Sequence, residues 1–407
     1  MNVNDITLKN GLKVRLVADK NSSAVTIHLK GLAGSNFENE SQIGSAHILE
    51  HLHTSNNFGN KLVSNGGRII GVTSRDDVLF MVKVQKNGVI DGLEFLSKVF
   101  AKEQINNEDF SKLKRISLQE IKRIESNPEK FLGRVSCALS FPNERMSKLN
   151  IGEEKHINKL SIKNVTDFRD KYYHPNNFAL VLSGNISINT IVPYIKSFFS
   201  KYKANTKAVY PKHRSLNEFI IKNYEFKGIS QILIKIDFYG FKTSDDKKYS
   251  SLVISNILDS LLNKLIKERL GLSYITRCVS FSSGSYGLFS IYFSCAKKDL
   301  ETILHEIRRN VISFSSLISS RSIENSKKKV LSNLSFEMEK VSVRAEYNSD
   351  LLIHGRKDQN YQYEVERIKK CLINEIRSVS QEIFSQKPKI TVVGEGVNVK
   401  EVENTWL

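Results

Sequence analysis

Through the first 85 residues, apolar and polar positions alternate mostly with a period of two, interrupted by one stretch of helical period. Residues 6–8 and 12–17 flank Asn10-Gly11, a dipeptide suited to a tight hairpin. Residues 24–32 predict a third strand and residues 43–54 a helix. Gly66-Gly67 interrupts the chain before strands at 69–73 and 78–84. From 88 to 140 the spacing turns helical, a further helix follows at 158–171, and a strand at 179–182 ends on Gly184.

Residues 201–215 are basic and weakly periodic and contain Pro211, which predicts a linker. Beyond it the order recurs. A strand at 232–238 precedes a helix at 246–268, strands at 272–281 and 285–295, helices from 298 to 382, and a strand at 390–393 that ends on Gly394. The closing segments, Phe178-Ala-Leu-Val-Leu-Ser-Gly184 and Lys389-Ile-Thr-Val-Val-Gly394, are alike. The pattern therefore predicts an α+β protein of two homologous units, residues 1–200 and 216–407, joined by the linker.

Composition narrows the class. The 407 residues are 40% hydrophobic and 26% charged, ordinary for a folded chain with ample core. No run of about 18 apolar residues occurs, so no membrane helix is expected. The four cysteines, Cys137, Cys278, Cys295 and Cys371, are far apart and form no CxxC pair, which argues against a disulfide scaffold. With no secretory or transit pattern at the N-terminus, the expected location is the cytoplasm. Lys and Arg number 61 against 43 Asp and Glu, a net charge of +18. These cations are scattered, and no zinc-finger spacing or aromatic RNA-binding motif accompanies them, so nucleic-acid binding is not expected. The field they create suits acidic partners such as acidic peptides.

The chemistry concentrates in Gly44-Ser-Ala-His47-Ile-Leu-Glu50-His51. On a helix, His47 and His51 stand one turn apart and can share one zinc ion. Glu50 lies near the same face, where it can take a proton from a metal-bound water. This HxxEH order is the inverzincin arrangement. A catalytic zinc wants a third protein ligand, and Glu120 is the candidate. Its helical neighbours Leu113, Ile116 and Ile124 place it in a stripe expected to face the core, where an unpartnered carboxylate would be costly. His53, two residues after His51, is expected at the surface or behind the ligands. His28, His156, His174, His213, His305 and His354 have no metal spacing and are expected to be structural.

With these residues in place, the chain resembles the pitrilysin/insulinase family of inverzincin metallopeptidases, especially its half-size branch similar to mitochondrial processing peptidase. The resemblance runs through Leu8-Lys-Asn-Gly-Leu-Lys-Val14, the HxxEH block, Leu118-Gln-Glu120-Ile121, Tyr173-His-Pro175-Asn-Asn177 and Lys267-Glu-Arg-Leu-Gly-Leu-Ser-Tyr274. It implies two homologous α/β-sandwich domains, each an antiparallel-rich sheet packed by helices, forming half of a clamshell chamber. It implies one zinc per chain on His47, His51 and Glu120, with Glu50 as general base. It also implies that Tyr274 reaches a bound peptide, and that Lys267 stands where the family has Arg, keeping the charge but losing the planar fork. The activity implied is cleavage of small unfolded peptides by a homodimer or by a heterodimer with a second half-size chain. A non-catalytic, peptide-binding subunit is the alternative.

Three departures from the family pattern bear on specificity. The spacing from His51 to Glu120 is short, with the shortening expected between Thr54 and Asn65. The family's Asn-Ala pair after the two glycines reads Ile70-Gly71. A Glu often found seven residues before the third ligand is Leu113.

Overall fold

The computed structural model describes residues 2–54 and 59–406. Residues 55–58, part of the stretch expected to carry the shortening, lie outside the described set. The chain forms two compact units. The first comprises Met1–Ile121, Lys148–Pro211 and Ser335–Asn360; the second comprises Lys122–Ser147, Lys212–Leu334 and Tyr361–Leu407. These differ from the contiguous halves expected above, because each unit includes a segment from the other half. The expected linker is divided too, with Pro211 closing a segment of the first unit and Lys212 opening one of the second.

The first unit is built on six strands: β1 (Asn2–Thr7), β2 (Lys13–Ala18), β3 (Val25–Gly31), β4 (Arg68–Thr73), β5 (Val78–Val84) and β6 (Phe178–Gly184). They lie in the order β1-β2-β6-β3-β5-β4, antiparallel except where β2 meets β6. The β1–β2 hairpin turns at Gly11, whose φ of 82° is open to glycine at no steric cost. Val25, Ile27 and Leu29 of β3 and Val78, Phe80 and Val82 of β5 share the core face, fully or nearly fully buried.

The second unit repeats this plan with β7 (Ile220–Tyr224), β8 (Ile232–Tyr239), β9 (Ser273–Ser282), β10 (Gly287–Cys295) and β11 (Lys389–Val393), ordered β7-β11-β8-β10-β9. Again the one parallel pair, β7 with β11, precedes three antiparallel ones. Helices repeat as well. Asn107–Glu125 and Ser320–Met338 each have 19 residues, and the helices that follow them, Pro128–Ser140 and Val341–Ile353, each have 13. The duplication suspected from two similar closing strands thus extends to strand order and helix length.

The two 13-residue helices explain the interleaving. Val341–Ile353 packs across β3 and β6 of the first sheet, and Pro128–Ser140 across β8 and β11 of the second. Each covers the sheet face opposite the main core. Each is fixed by a polar group at a matching place. Lys30 of β3 pairs with Asp350 of the first helix, and Asp237 of β8 accepts from Ser136 of the second. Lys30 and Asp237 each stand opposite the residue five before the closing glycine, Ala179 ahead of Gly184 and Lys389 ahead of Gly394. Both are buried, and a buried charge needs such a partner.

Of the histidines expected to be structural, His213 sits in the second unit between Glu144 and Ser285, with Nε2 3.1 Å from the Ser285 hydroxyl. Ser285 is itself buried, so His213 ties Glu144 to Ser285 within that unit and Ser285 is not an exposed nucleophile. Among the described residues no helix is long and apolar enough to cross a membrane.

Candidate metal centre

The helix Ser45–Thr54 carries the histidine motif. It starts at Gly44, whose φ of 98° disfavours any side chain and where a Cβ would lie 2.4 Å from Ile157 Cδ1. Glu38 caps it, its carboxylate accepting the N–H groups of Gly44 at 3.1 Å and Ala46 at 2.8 Å. A carboxylate there answers both the unpaired amides and the helix dipole. Helical geometry then brings the His47 and His51 rings to a centroid distance of 4.4 Å.

Glu120 arrives from the helix Asn107–Glu125. Its Oε2 is 2.9 Å from His47 Nε2 and 3.5 Å from His51 Nε2, and the two ring nitrogens are 3.1 Å apart. Three donor atoms from two helices therefore form a small triangle. In a tetrahedral zinc site with ligands at about 2.0–2.1 Å, neighbouring donors stand about 3.3 Å apart. The triangle matches that edge length, and its two imidazoles and one carboxylate are an ordinary donor set for a catalytic zinc. These residues fit the metal.

Charge points the same way. Burial works against protonating His47, but hydrogen bonds to Glu120 and Glu50 outweigh it and lift its pKa to about 9. Hydrogen bonds from His47 and then His51 pull the Glu120 carboxyl well below the usual carboxylate range. The centre is thus built to hold a positive charge, a proton in the absence of a cation.

Glu50 is buried on the same helix, with Oε2 3.3 Å from His47 Nδ1. Coordinating atoms of His47, Glu50 and His51 all lie within 4.8 Å of one another. Two threonines contact Glu50: Thr73 of β4 donates to Oε2 at 3.3 Å, and the Thr54 hydroxyl donates to the Glu50 main-chain carbonyl at 2.8 Å while lying 3.4 Å from Oε1. Neither threonine nor Gly71, against which the carboxylate packs, was singled out by sequence reasoning as a support for Glu50. The i, i+4 spacing from Glu50 on one helix is a signal that points to Thr54, whereas Gly71 and Thr73 reach Glu50 only through the packing of a separate strand.

The structure brings His47, Glu50, His51 and Glu120 together in the first unit. Glu120 sits at the margin of its helix's buried stripe and not within it. Phe110, Leu113, Ser117 and Ile121 face inward, whereas Ile116 and Ile124 are half-buried and the Glu120 side chain is 28% exposed. That edge position leaves the donor triangle open to solvent on the Glu120 side. Leu113, where the family often has Glu, is buried in the core. His53 is half-buried. Its ring lies between Phe80 and Tyr173, and burial, with Arg169 adding to it, lowers its pKa to about 4.

Lys267 and Tyr274 belong to the second unit. Lys267 is exposed on the wide helical turn Asn263–Arg269. Tyr274 lies on β9, and its side chain is outside the described set.

Comparison with known proteins gives concordant matches. Residues 13–147 match the family described as "Insulinase (Peptidase family M16)", and residues 159–330 match "Peptidase M16 inactive domain". An "Uncharacterized zinc protease" of Rickettsia felis is 24% identical over 359 residues, 85% of this chain and 86% of that one. The mitochondrial-processing peptidase subunit beta of Rattus norvegicus is 20% identical, over 95% of this chain and 83% of its own. Among solved structures, a protease from Helicobacter pylori shares the fold with a TM-score of 0.88 at 16% identity, covering 96% of this chain and 99% of that one. A chain of complex III from Candida albicans does so with a TM-score of 0.88 at 15% identity, over the full length of both.

Proposed function

The chain belongs to the pitrilysin/insulinase family, peptidase M16, and on that premise we propose that it is a zinc-dependent endopeptidase acting on short unfolded peptides. The observation that carries this is the triangle of His47 Nε2, His51 Nε2 and Glu120 Oε2 with the Glu50 carboxylate beside it. Zinc bound there would polarise a peptide carbonyl and acidify a water molecule. Glu50, held by Thr73 and Thr54, accepts the water proton and returns it to the leaving amine. The peptide lies extended along β4, the last strand of its sheet, held by main-chain hydrogen bonds. Tyr274 and Lys267 are assigned to substrate contact on family resemblance alone.

Because one chain supplies two units of this kind, the working form in this reading is a pair of chains, either two copies or one copy with a second half-size subunit. A relative named as a beta subunit supports a paired form. A second reading, a peptide-binding subunit without activity, draws on the "inactive domain" match of residues 159–330. The intact donor triangle in the other half favours the enzyme.

The test is metal analysis together with Glu50→Gln. About one zinc per chain in both proteins, with peptide cleavage by the native chain only, supports the enzyme. Full turnover by Glu50→Gln removes the role given to Glu50, and a chain that binds no zinc supports the subunit.

A further inference from the structure

β4 has two faces, and only one belongs to the metal centre. Gly71 and Thr73 touch Glu50, so they and Ile69 face the helix Ser45–Thr54. Arg68, Ile70 and Val72 alternate with them and point the other way. That second face is exposed. Ile70 and Val72 are each 43% accessible, and Arg68 is exposed. The neighbouring β5 continues it, with Met81 opposite Ile70, Leu79 opposite Val72 and Lys83 opposite Arg68. Lys83 is exposed, and among the described residues neither Lys83 nor Arg68 has a carboxylate within ion-pair distance. The helix Val341–Ile353 covers the adjoining β3 on this side. The strip is therefore apolar at its centre and carries two adjacent cations at one end, at the free edge of the sheet.

We infer that this strip selects the substrate: an extended peptide with apolar residues on both sides of the one that lies over Gly71, and an acidic residue three positions away from it, facing Arg68 and Lys83. The inference rests on the reading of the chain as a peptidase with its substrate along β4. Side chains of a paired strand share the face of the residue they oppose. The peptide residue opposite Gly71 turns toward Glu50, while its two neighbours, opposite Ile70 and Val72, turn onto the apolar strip. The residue opposite Arg68 returns to that same face. There it meets two cations, and a carboxylate is the side chain that satisfies them. Of the chain's 61 Lys and Arg, these two thereby have a stated place and register along the substrate.

The experiment has two readouts on the full chain. Zinc-loaded native protein cleaves randomised peptides, and mass spectrometry of the products gives the preference at each position from the cut. Zinc-loaded Glu50→Gln, which binds without turnover in this reading, titrates fluorescent peptides carrying Glu or Lys at each position. Expected is about tenfold tighter binding of Glu over Lys at one position only, three residues from one that flanks the cut, with apolar residues favoured on either side of that flanking residue. Introducing Arg68→Glu with Lys83→Glu, both at exposed sites, should invert that preference to Lys and leave zinc content unchanged. Cleavage and binding with no positional charge preference, or a Glu preference that survives the reversal, overturns the inference and leaves the peptidase reading standing. Absence of both binding and cleavage overturns the two together.

Discussion

A Cβ added at Gly71 would lie 2.1 Å from Oε1 of Glu50 and 2.6 Å from its Cγ and Cδ. The strand and the carboxylate thus touch with nothing between them. Gly71→Ala moves a flexible side chain and not the backbone, so folding stability should change little. Glu50 must swing aside, and a displacement of about 1 Å in a catalytic group can cost about 100-fold in rate. We expect turnover to fall at least tenfold at unchanged zinc content and unchanged melting temperature. A variant with native turnover would show that Glu50 works from another rotamer.

Removing the third donor tests the triangle itself. Glu120→Gln keeps shape and loses charge, so zinc affinity measured by competition with a chelator should fall by more than about 100-fold. The helix Asn107–Glu125 holds its place through Phe110, Leu113 and Ile121, so circular dichroism should be unaltered. Undiminished affinity would mean that the cation sits elsewhere.

Zinc uptake should release a proton near neutral pH. In the metal-free centre His47 titrates at about 9, so it is protonated at pH 7 and must lose that proton to bind a metal. Glu120, shifted downward, is ionised throughout. Apparent zinc affinity should therefore drop about tenfold for each pH unit below about 9. Calorimetry in buffers of different ionisation enthalpy reads the released proton directly, and identical heats in all buffers would contradict the assignment.

The buried pair that fixes the helix Val341–Ile353 makes a stability prediction. Lys30 also lies 3.4 Å from Asp77, whose pKa is pushed up to about 6, chiefly by burial and against the pull of Lys30. Lys30→Met leaves Asp77 buried without its counter-charge, at a cost of about 3 kcal/mol. The sign with pH follows from the carboxyl. Its folded pKa lies above the unfolded value of 3.8, so the native state holds the extra proton. Stability is lost as pH rises from about 4 through 6. The penalty of Lys30→Met in urea should thus be smaller at pH 4 than at pH 8, and an equal or larger penalty at pH 4 would refute the pairing.

Much of the fold was legible because local periodicity reports local structure. β5 falls on the expected residues 78–84, and β3, β4, β8 and β9 differ from expectation by a residue or two. The expected helix at 158–171 is instead two, Glu154–Lys159 and Ile162–Tyr172, because Ser161 caps the second through Asn164. The strand β7 was not foreseen. Its residues are all half-buried or exposed, so no alternation marks it, and it forms by pairing with β11 far along the chain.

The sequence by itself determined the HxxEH helix, the class of metal it suits and the outline of a repeated α+β unit. A helical repeat puts residues four apart on one face wherever that helix lies. Only the tertiary structure decided how the distant pieces meet. Glu120 reaches His47 across 73 residues, and Lys30 meets Asp350 across 320. The exchange of the two 13-residue helices belongs to the same level. A period along the chain shows that a face will be buried but not which segment buries it. That choice is made by shape and charge between elements far apart in sequence, and here it supplies both the third donor and the lid on each sheet.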